Sequence, residues 1–165
     1  MVPLAREVEY AKGYLTIQKM RYKDKLEFEI DVEPSILNIP LIKLVLQPII
    51  ENAIYHGLKY KESKGLLQVK GFMKDGNAVL QVIDNGVGMD EETLSHIYDK
   101  HKVNYHSNGV GVYNVQKRLK LYYGENYGIT YESEKGVGTT ATITIPGIQA
   151  VSYTHLRAHE TVLDL

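Results

Sequence analysis

Three glycine clusters and one helix studded with polar residues hold the groups whose types and spacing could do chemistry. In Asp84-Asn85-Gly86-Val87-Gly88-Met89 an apolar run ends in a carboxylate, and two alternating glycines follow at once. A carboxylate at a strand end can accept from a donor-bearing heterocycle, and positions without a side chain let the backbone approach a flat ligand closely. The same residues also make an ordinary turn signal. Asn108-Gly109-Val110-Gly111-Val112 leads straight into a helical pattern, so permissive backbone sits where free helix N–H groups could face phosphate oxygens. The third cluster, Gly136-Val137-Gly138-Thr139-Thr140, could be no more than a tight hairpin. Upstream, Glu51, Asn52 and His56 interrupt an apolar frame of Ile49, Ile50, Ala53 and Ile54, and the spacing of Asn52 and His56 projects both from one helix face. The bland account is a satisfied core amide and a histidine at a helix end near Gly57. In the functional account an amide oxygen supplies the single protein ligand that nucleotide-bound Mg2+ often needs, while phosphates and waters complete the octahedron.

The scaffold that must position these groups is small. A chain of 165 residues accommodates one domain with a real core. Lys+Arg total 19 against 20 Asp+Glu, a formal charge of -1, so no field favours nucleic acid or an anionic membrane, and any bound anion must be held locally. The absence of cysteine excludes a disulfide framework, a thiolate zinc site and a cysteine nucleophile. The most apolar stretch, 36–50, is broken by Asn38, Pro40, Lys43, Gln47 and Pro48, well short of the roughly 20 apolar residues a membrane crossing needs. Residues 1–13 have no apolar signal-peptide core. The expectation is a soluble, cytoplasmic domain.

Leu4, Val8, Ala11, Leu15 and Tyr22 predict an amphipathic helix ending near Lys23, either packed on its own domain or continuing from an upstream bundle. Leu26, Phe28, Ile30 and Val32 alternate with acids as a half-buried strand closed by Pro34. A helix is expected over 41–58 with a fresh start at Pro48, whose ring removes a donor and crowds the preceding turn. Strands over 66–74 and 78–84 flank an Asp75-Gly76-Asn77 hairpin signal, and Asp90 can cap a short helix through Tyr98. Residues 100–109 read as loop, and a helix over 110–123 stops at Gly124. A second hairpin joins strands over 129–134 and 139–145. This order lacks strict β-α alternation and predicts an α+β fold, a two-layer α/β sandwich whose mixed, mostly antiparallel sheet of about five strands carries helices on one face. The final VSYTHLRAHETVLDL, residues 151–165, resembles a translated adapter remnant and is set apart. His155, His159 and Glu160 there lack the HExxH order and a nearby third ligand, which argues against zinc.

IIENAIYHG, DNGVGM, NGVGVYN and GVGTT, in that order, resemble the asparagine box and successive glycine boxes of the GHKL ATPase superfamily, whose Bergerat fold binds ATP. YLTIQKMRY, Tyr14 to Tyr22, looks like the YLxIQxxRF segment that precedes the ATPase domain in LytS-type sensor histidine kinases, and LQPIIENAIYHG is similar to that family's asparagine box. The resemblance covers Leu4 to Pro146. It implies a linker helix over 1–24 following a dimerisation and phosphoacceptor segment and an ATP-binding catalytic domain over 25–148, which leaves 149–165 as the non-native or disordered tail set apart above. Asp84 would accept from the adenine exocyclic amine, with Gly86 and Gly88 beneath the base and Thr139 at the same end of the pocket. Asn52 would bind Mg2+, Gly109 and Gly111 would bring backbone amides to the phosphates, and His56 would lie near them. Glu51, a base or polariser in water-activating relatives, would be the second catalytic candidate. Residues 95–108 would form a mobile lid. Lys59, Lys61 and Arg118 are either phosphate contacts or solvated basic surface.

The activity so implied is transfer of the ATP γ-phosphoryl to a histidine on the dimerisation domain, and onward to a response regulator, by positioning and charge neutralisation. Two departures stand out. Val112 occupies a position where many relatives have leucine, a mild volume change. Nothing resembles the HPHFLFN-like phosphoacceptor segment, so the sequence reads as a catalytic fragment of a kinase whose full-length form is anchored in the cell membrane. The alternatives are another GHKL ATPase, such as a serine-directed anti-sigma kinase or a hydrolase that uses Glu51, and a non-catalytic interaction domain. Replacing Asp84 by Asn is expected to remove a charge-assisted hydrogen bond worth roughly 1.5 to 3 kcal/mol of ATP affinity. Unchanged affinity in calorimetry removes Asp84 from the site.

Overall fold

In the computed structural model, which describes residues 1–59, 61–98 and 109–147, the chain opens with a short strand β1 (Val2–Pro3) and helix α1 (Leu4–Tyr22). Of the predicted loop over 100–109 and lid over 95–108, residues 99–108 lie outside the described residues, as does the tail with His155 and His159, while Gly109 already belongs to a helix. Along α1, Leu4, Ala11 and Leu15 are fully buried, and Val8 and Tyr22 pack against the same core. A 3-10 turn, Lys23–Lys25, reverses the chain into β2 (Leu26–Val32), and a second, Pro34–Ile36, closes that strand as Pro34 predicts. No sequence period announces β3 (Pro40–Leu41), which pairs antiparallel with β1 through Val2 and Leu41.

The helix expected from Leu41 begins later, as α2 (Leu46–Asn52), because Leu41 is in β3 and Leu44 takes a left-handed φ of 59°. Pro48 falls in the first turn of α2, where backbone N–H groups have no intrahelical partner, so its missing donor costs nothing and no restart occurs there. Past Asn52 the helix widens into a π-helical turn, Ala53–Leu58, visible in the Lys59 N–H donation to the Ile54 carbonyl at 2.9 Å. Val45 offers no capping side chain to α2. The cap comes instead from α1. Oε1 of Glu7 accepts from Val45 N at 2.7 Å and Leu46 N at 3.2 Å, and Glu7 is only 4% exposed. A buried acid at the positive end of a helix satisfies orphan donors and complements the dipole.

β4 (Gly65–Lys74) and β5 (Asn77–Asp84) form the first hairpin. Asp75 at φ 52° and Gly76 at φ 80° take the two left-handed positions of a type I′ turn, which returns Asn77 to the strand. Asp90 caps α3 (Glu91–Ser95) by accepting from Thr93 N at 2.8 Å, and the helix stops short of the predicted Tyr98. α4 (Gly109–Tyr123) ends at Gly124, whose φ of 110° suits only glycine. The chain then makes β6 (Gly128–Glu134) and β7 (Gly138–Pro146). Gln116 of α4 grips the backbone of Ile129 in β6, its Oε1 accepting from the N–H at 2.7 Å and its Nε2 donating to the carbonyl at 3.1 Å.

The main sheet runs β2-β4-β5-β7-β6, parallel between β2 and β4 and antiparallel elsewhere, the mixed α+β arrangement expected. Strand alternation places Ile30, Val69, Val82, Ala141 and Tyr131 in one row facing the helices. The next row on that face holds Phe28, Leu67, Asp84, Thr139 and Ser133. Among the described residues no helix is long and apolar enough to cross a membrane. Substituting Ala for Glu7 is expected to orphan two buried donors and cost about 1 to 3 kcal/mol in chemical denaturation. Glu7→Gln, which keeps an acceptor oxygen, should cost less.

Candidate functional site

Between the helix-facing side of the sheet and the layer made by α2, its π-helical turn and α3 lies a cavity of about 510 Å³. Asn52, His56, Asp84, Gly88 and Thr139 all line it, so residues 87 positions apart at the extremes meet in one space. Asp84 ends β5 and is 6% exposed. Its Oδ1 accepts from Gly86 N at 2.9 Å, and the backbone of Thr139 also hydrogen-bonds the carboxylate. Burial nevertheless dominates and pushes its pKa up to about 6 from 3.8, against the pull of those two backbone donors. The carboxylate is thus an under-satisfied acceptor facing a cavity.

The loop over 85–89 that follows is sewn to three neighbours. Asn85 Oδ1 accepts from Leu66 N at 2.7 Å, Val87 N donates to the Gly57 carbonyl at 3.0 Å, and Gly136 N donates to the Val87 carbonyl at 2.7 Å. Ser133 Oγ accepts from Met89 N at 2.8 Å and lies 2.7 Å from Thr139 Oγ1. Gly86 is required by close approach, since a Cβ there would run into the backbone of Gly57. Gly57 in turn leaves room for Asp84, whose Oδ1 would lie 2.7 Å from an added Cβ. Gly86 therefore sits behind the cavity wall, while Gly88, at φ 68°, is part of it.

Asn52 is the last residue of α2 and 7% exposed. His56, one turn on, stacks edge-on against Tyr55 with ring centroids 5.0 Å apart, and burial lowers its pKa from 6.5, so at neutral pH it offers one donor and one acceptor rather than a charge. Glu51 is not among the lining residues. Its Oε1 accepts from Gln47 Nε2 at 3.0 Å, and its charge acts on Tyr14 of α1, whose hydroxyl pKa is raised first by burial and then by Glu51. Gly109 opens α4, and Gly111 also stays off the cavity wall, facing Pro48 at 3.5 Å from an added Cβ.

The basic residues divide likewise. Arg118 Nη2 donates to the carbonyls of Lys43 and Leu44 at 2.5 and 2.9 Å, clamping the turn that precedes α2. Lys59 lies over the Tyr55 ring at 4.5 Å, and Lys61 lines a separate small cavity beside Tyr22 and Leu58. Sequence reasoning missed Tyr131 and Ala141, which strand parity with Asp84 and Thr139 could have placed on the same face. It also missed the wall made by Glu92 and Thr93, for which the Asp90 cap announces a helix but not its direction, while Ile97 on the same wall belongs to the segment read as a lid.

The raised pKa of Asp84 has a sign that can be tested. The folded state holds this proton more tightly than the unfolded chain, so the group's contribution to stability is complete below pH 3.8 and is lost as pH rises through about 6. The loss is on the order of 3 kcal/mol at 1.36 kcal/mol per unit. Asp84→Asn is expected to leave the unliganded protein at least as stable as the parent at neutral pH, with the difference shrinking toward pH 4. Denaturation across that range checks it.

Residues 38–149 match the family of histidine kinase-, DNA gyrase B-, and HSP90-like ATPases. The chain is similar to sensor histidine kinase YesM of Bacillus subtilis strain 168, with 32% identity over 146 residues, covering 88% of this chain and 24% of that protein. It is also similar to sensor protein LytS of Oceanobacillus iheyensis, with 35% identity over 128 residues, covering 76% of this chain and 22% of that protein. The chain thus spans about a quarter of the length of these relatives. The histidine kinase domain from the Erythrobacter litoralis EL346 blue-light activated histidine kinase shares the fold, with a TM-score of 0.63 at 19% identity, over 89% of this chain and 62% of that one. With more than half of its length matched by the family and about a third of its residues identical to these relatives, the chain belongs to the histidine kinase-, DNA gyrase B-, and HSP90-like ATPase family.

Proposed function

We propose that the chain is the ATP-binding catalytic domain of a sensor histidine kinase, holding Mg-ATP in the cavity beside Asp84 while the γ-phosphoryl passes to a histidine on the kinase's dimerisation domain. The observation that carries this reading is a buried carboxylate and a buried amide, Asp84 and Asn52, lining one apolar-walled cavity. Asp84 accepts from the adenine amine, a donor that relieves the cost of its burial, while Gly88 and Thr139 shape the same end. Asn52 is a neutral oxygen donor, and among the described residues no cluster of three metal-ligating side chains competes with it. An amide of this kind fits magnesium that carries most of its ligands as phosphate oxygens and water. The ion neutralises phosphate charge when bound. His56, neutral, donates a hydrogen bond toward the phosphates, and the amides of Gly109 and Gly111 at the start of α4 take up the oxygens beyond. Glu51, tied to Gln47, is assigned no step.

Residues 1–24 join this catalytic unit, 25–148, to the phosphoacceptor segment, and the tail over 149–165 takes no part. The response regulator receives the phosphoryl group from that histidine, and the membrane anchor belongs to the full-length kinase. Asn52→Ala is expected to weaken ATP binding about tenfold, some 1.4 kcal/mol, in Mg2+ and much less in EDTA. Equal losses in titration calorimetry with and without the metal contradict the ligand role.

A further inference from the structure

Tyr131 stands on the helix-facing side of β6, opposite Ala141, and lines the cavity with Asn52 and Asp84. Its ring is held edge-on by Tyr98, with centroids 6.0 Å apart and planes at 65°. Tyr98 commits its own hydroxyl to the Ile129 carbonyl at 2.7 Å. The Tyr131 hydroxyl oxygen is buried and has no hydrogen-bond partner among the described residues. Asn52 lies close enough to act on it, without reaching hydrogen-bond geometry, and the charge of Asp84 is felt there too. Burial first, with Tyr98 and Asp84 adding to it, holds the phenol pKa far above its ordinary value of 10.0, so the group is a neutral hydroxyl at any working pH.

A buried hydroxyl without a partner is a cost that some other group must relieve. The Asn52 amide, in turn, has two unlike ends, of which only the oxygen can face a cation. Backbone position alone does not decide which end is presented. A neutral hydroxyl beside the amide can accept from its N–H group and so decide it, and a small rotation of either side chain closes the pair.

We propose that Tyr131 is a positioning residue whose hydroxyl accepts from Nδ2 of Asn52 and thereby presents Oδ1 to the magnesium of the bound nucleotide. The inference rests on the nucleotide reading of this cavity and extends it to a residue that reading does not use. Tyr131→Phe keeps the ring and removes only the oxygen. Calorimetry with ATP is expected to show a loss of about fivefold to tenfold in Mg2+ and no change in EDTA. In the Asn52→Ala background the same substitution is expected to have no effect, an outcome that a purely structural tyrosine would not produce. The thermal midpoint of the unliganded Tyr131→Phe protein is expected to stay level or rise, since an unsatisfied group has gone. Equal losses with and without metal indicate direct contact with the nucleotide and overturn the proposal. Undiminished binding in Mg2+, or full additivity with Asn52→Ala, also overturns it. Failure of the parent chain to bind ATP under either condition instead overturns the nucleotide reading, and this proposal with it.

Discussion

A carboxylate kept in an apolar cavity is the constraint around which the rest of the molecule is arranged. Burial strips Asp84 of most of its hydration, and two backbone N–H groups do not restore what burial removes. Such a position persists only if its surroundings over-determine it. Thr139 is held opposite Asp84 by strand register, and the loop over 85–89 is fastened to β4, to the π-helical turn and to the β6–β7 hairpin. The ionised carboxylate at this position therefore works against stability, a common arrangement at binding sites.

The helical layer meets that constraint through side chains supplied from afar. Glu7 of α1 caps α2, α2 places Asn52 on the cavity wall, and the wider turn that follows brings Gly57 against Gly86. Arg118 of α4 fastens the turn just before α2 by two carbonyls. The N-terminal end of α2 is thus held from both sides, by an acid from α1 and a base from α4. This explains how a helix of seven residues, without a capping side chain of its own, can aim an amide reliably.

Much of the fold was legible along the chain because strand and helix periods are local. Alternation in 26–32, the Asp75-Gly76 turn, the Asp90 cap and the Gly124 stop each rest on neighbouring residues, and each appears where it was expected within a residue or two. The start of the helix was placed too early, at Leu41, because nothing local shows that Leu41 pairs in β3 or that Leu44 turns left-handed, while the fresh start expected at Pro48 falls two residues after the observed one. The β1–β3 ribbon escaped notice because two-residue strands have no period to read. For the site, glycine and polar spacing pointed to Asn52, His56, Asp84 and Gly88, the family resemblance added Thr139, and all five reach the cavity. Glu51 was singled out as a polar group in an apolar frame, with its role taken from the family resemblance; neighbours on a helix point about 100° apart, and its side chain accepts from Gln47 rather than lining the cavity.

The amino-acid order by itself determined which faces of the helices and strands are apolar, where most of the chain turns, and the succession of motifs by which the family is recognised. The tertiary structure alone decided what each buried face is buried against: that Glu7 caps a helix 38 residues later, that Arg118 clamps backbone, and that Tyr131 shares a cavity with Asn52. The reason is geometric. A period along the chain reports the direction a side chain takes from its own backbone, but its partner is chosen by strand register and helix placement, which no local pattern contains.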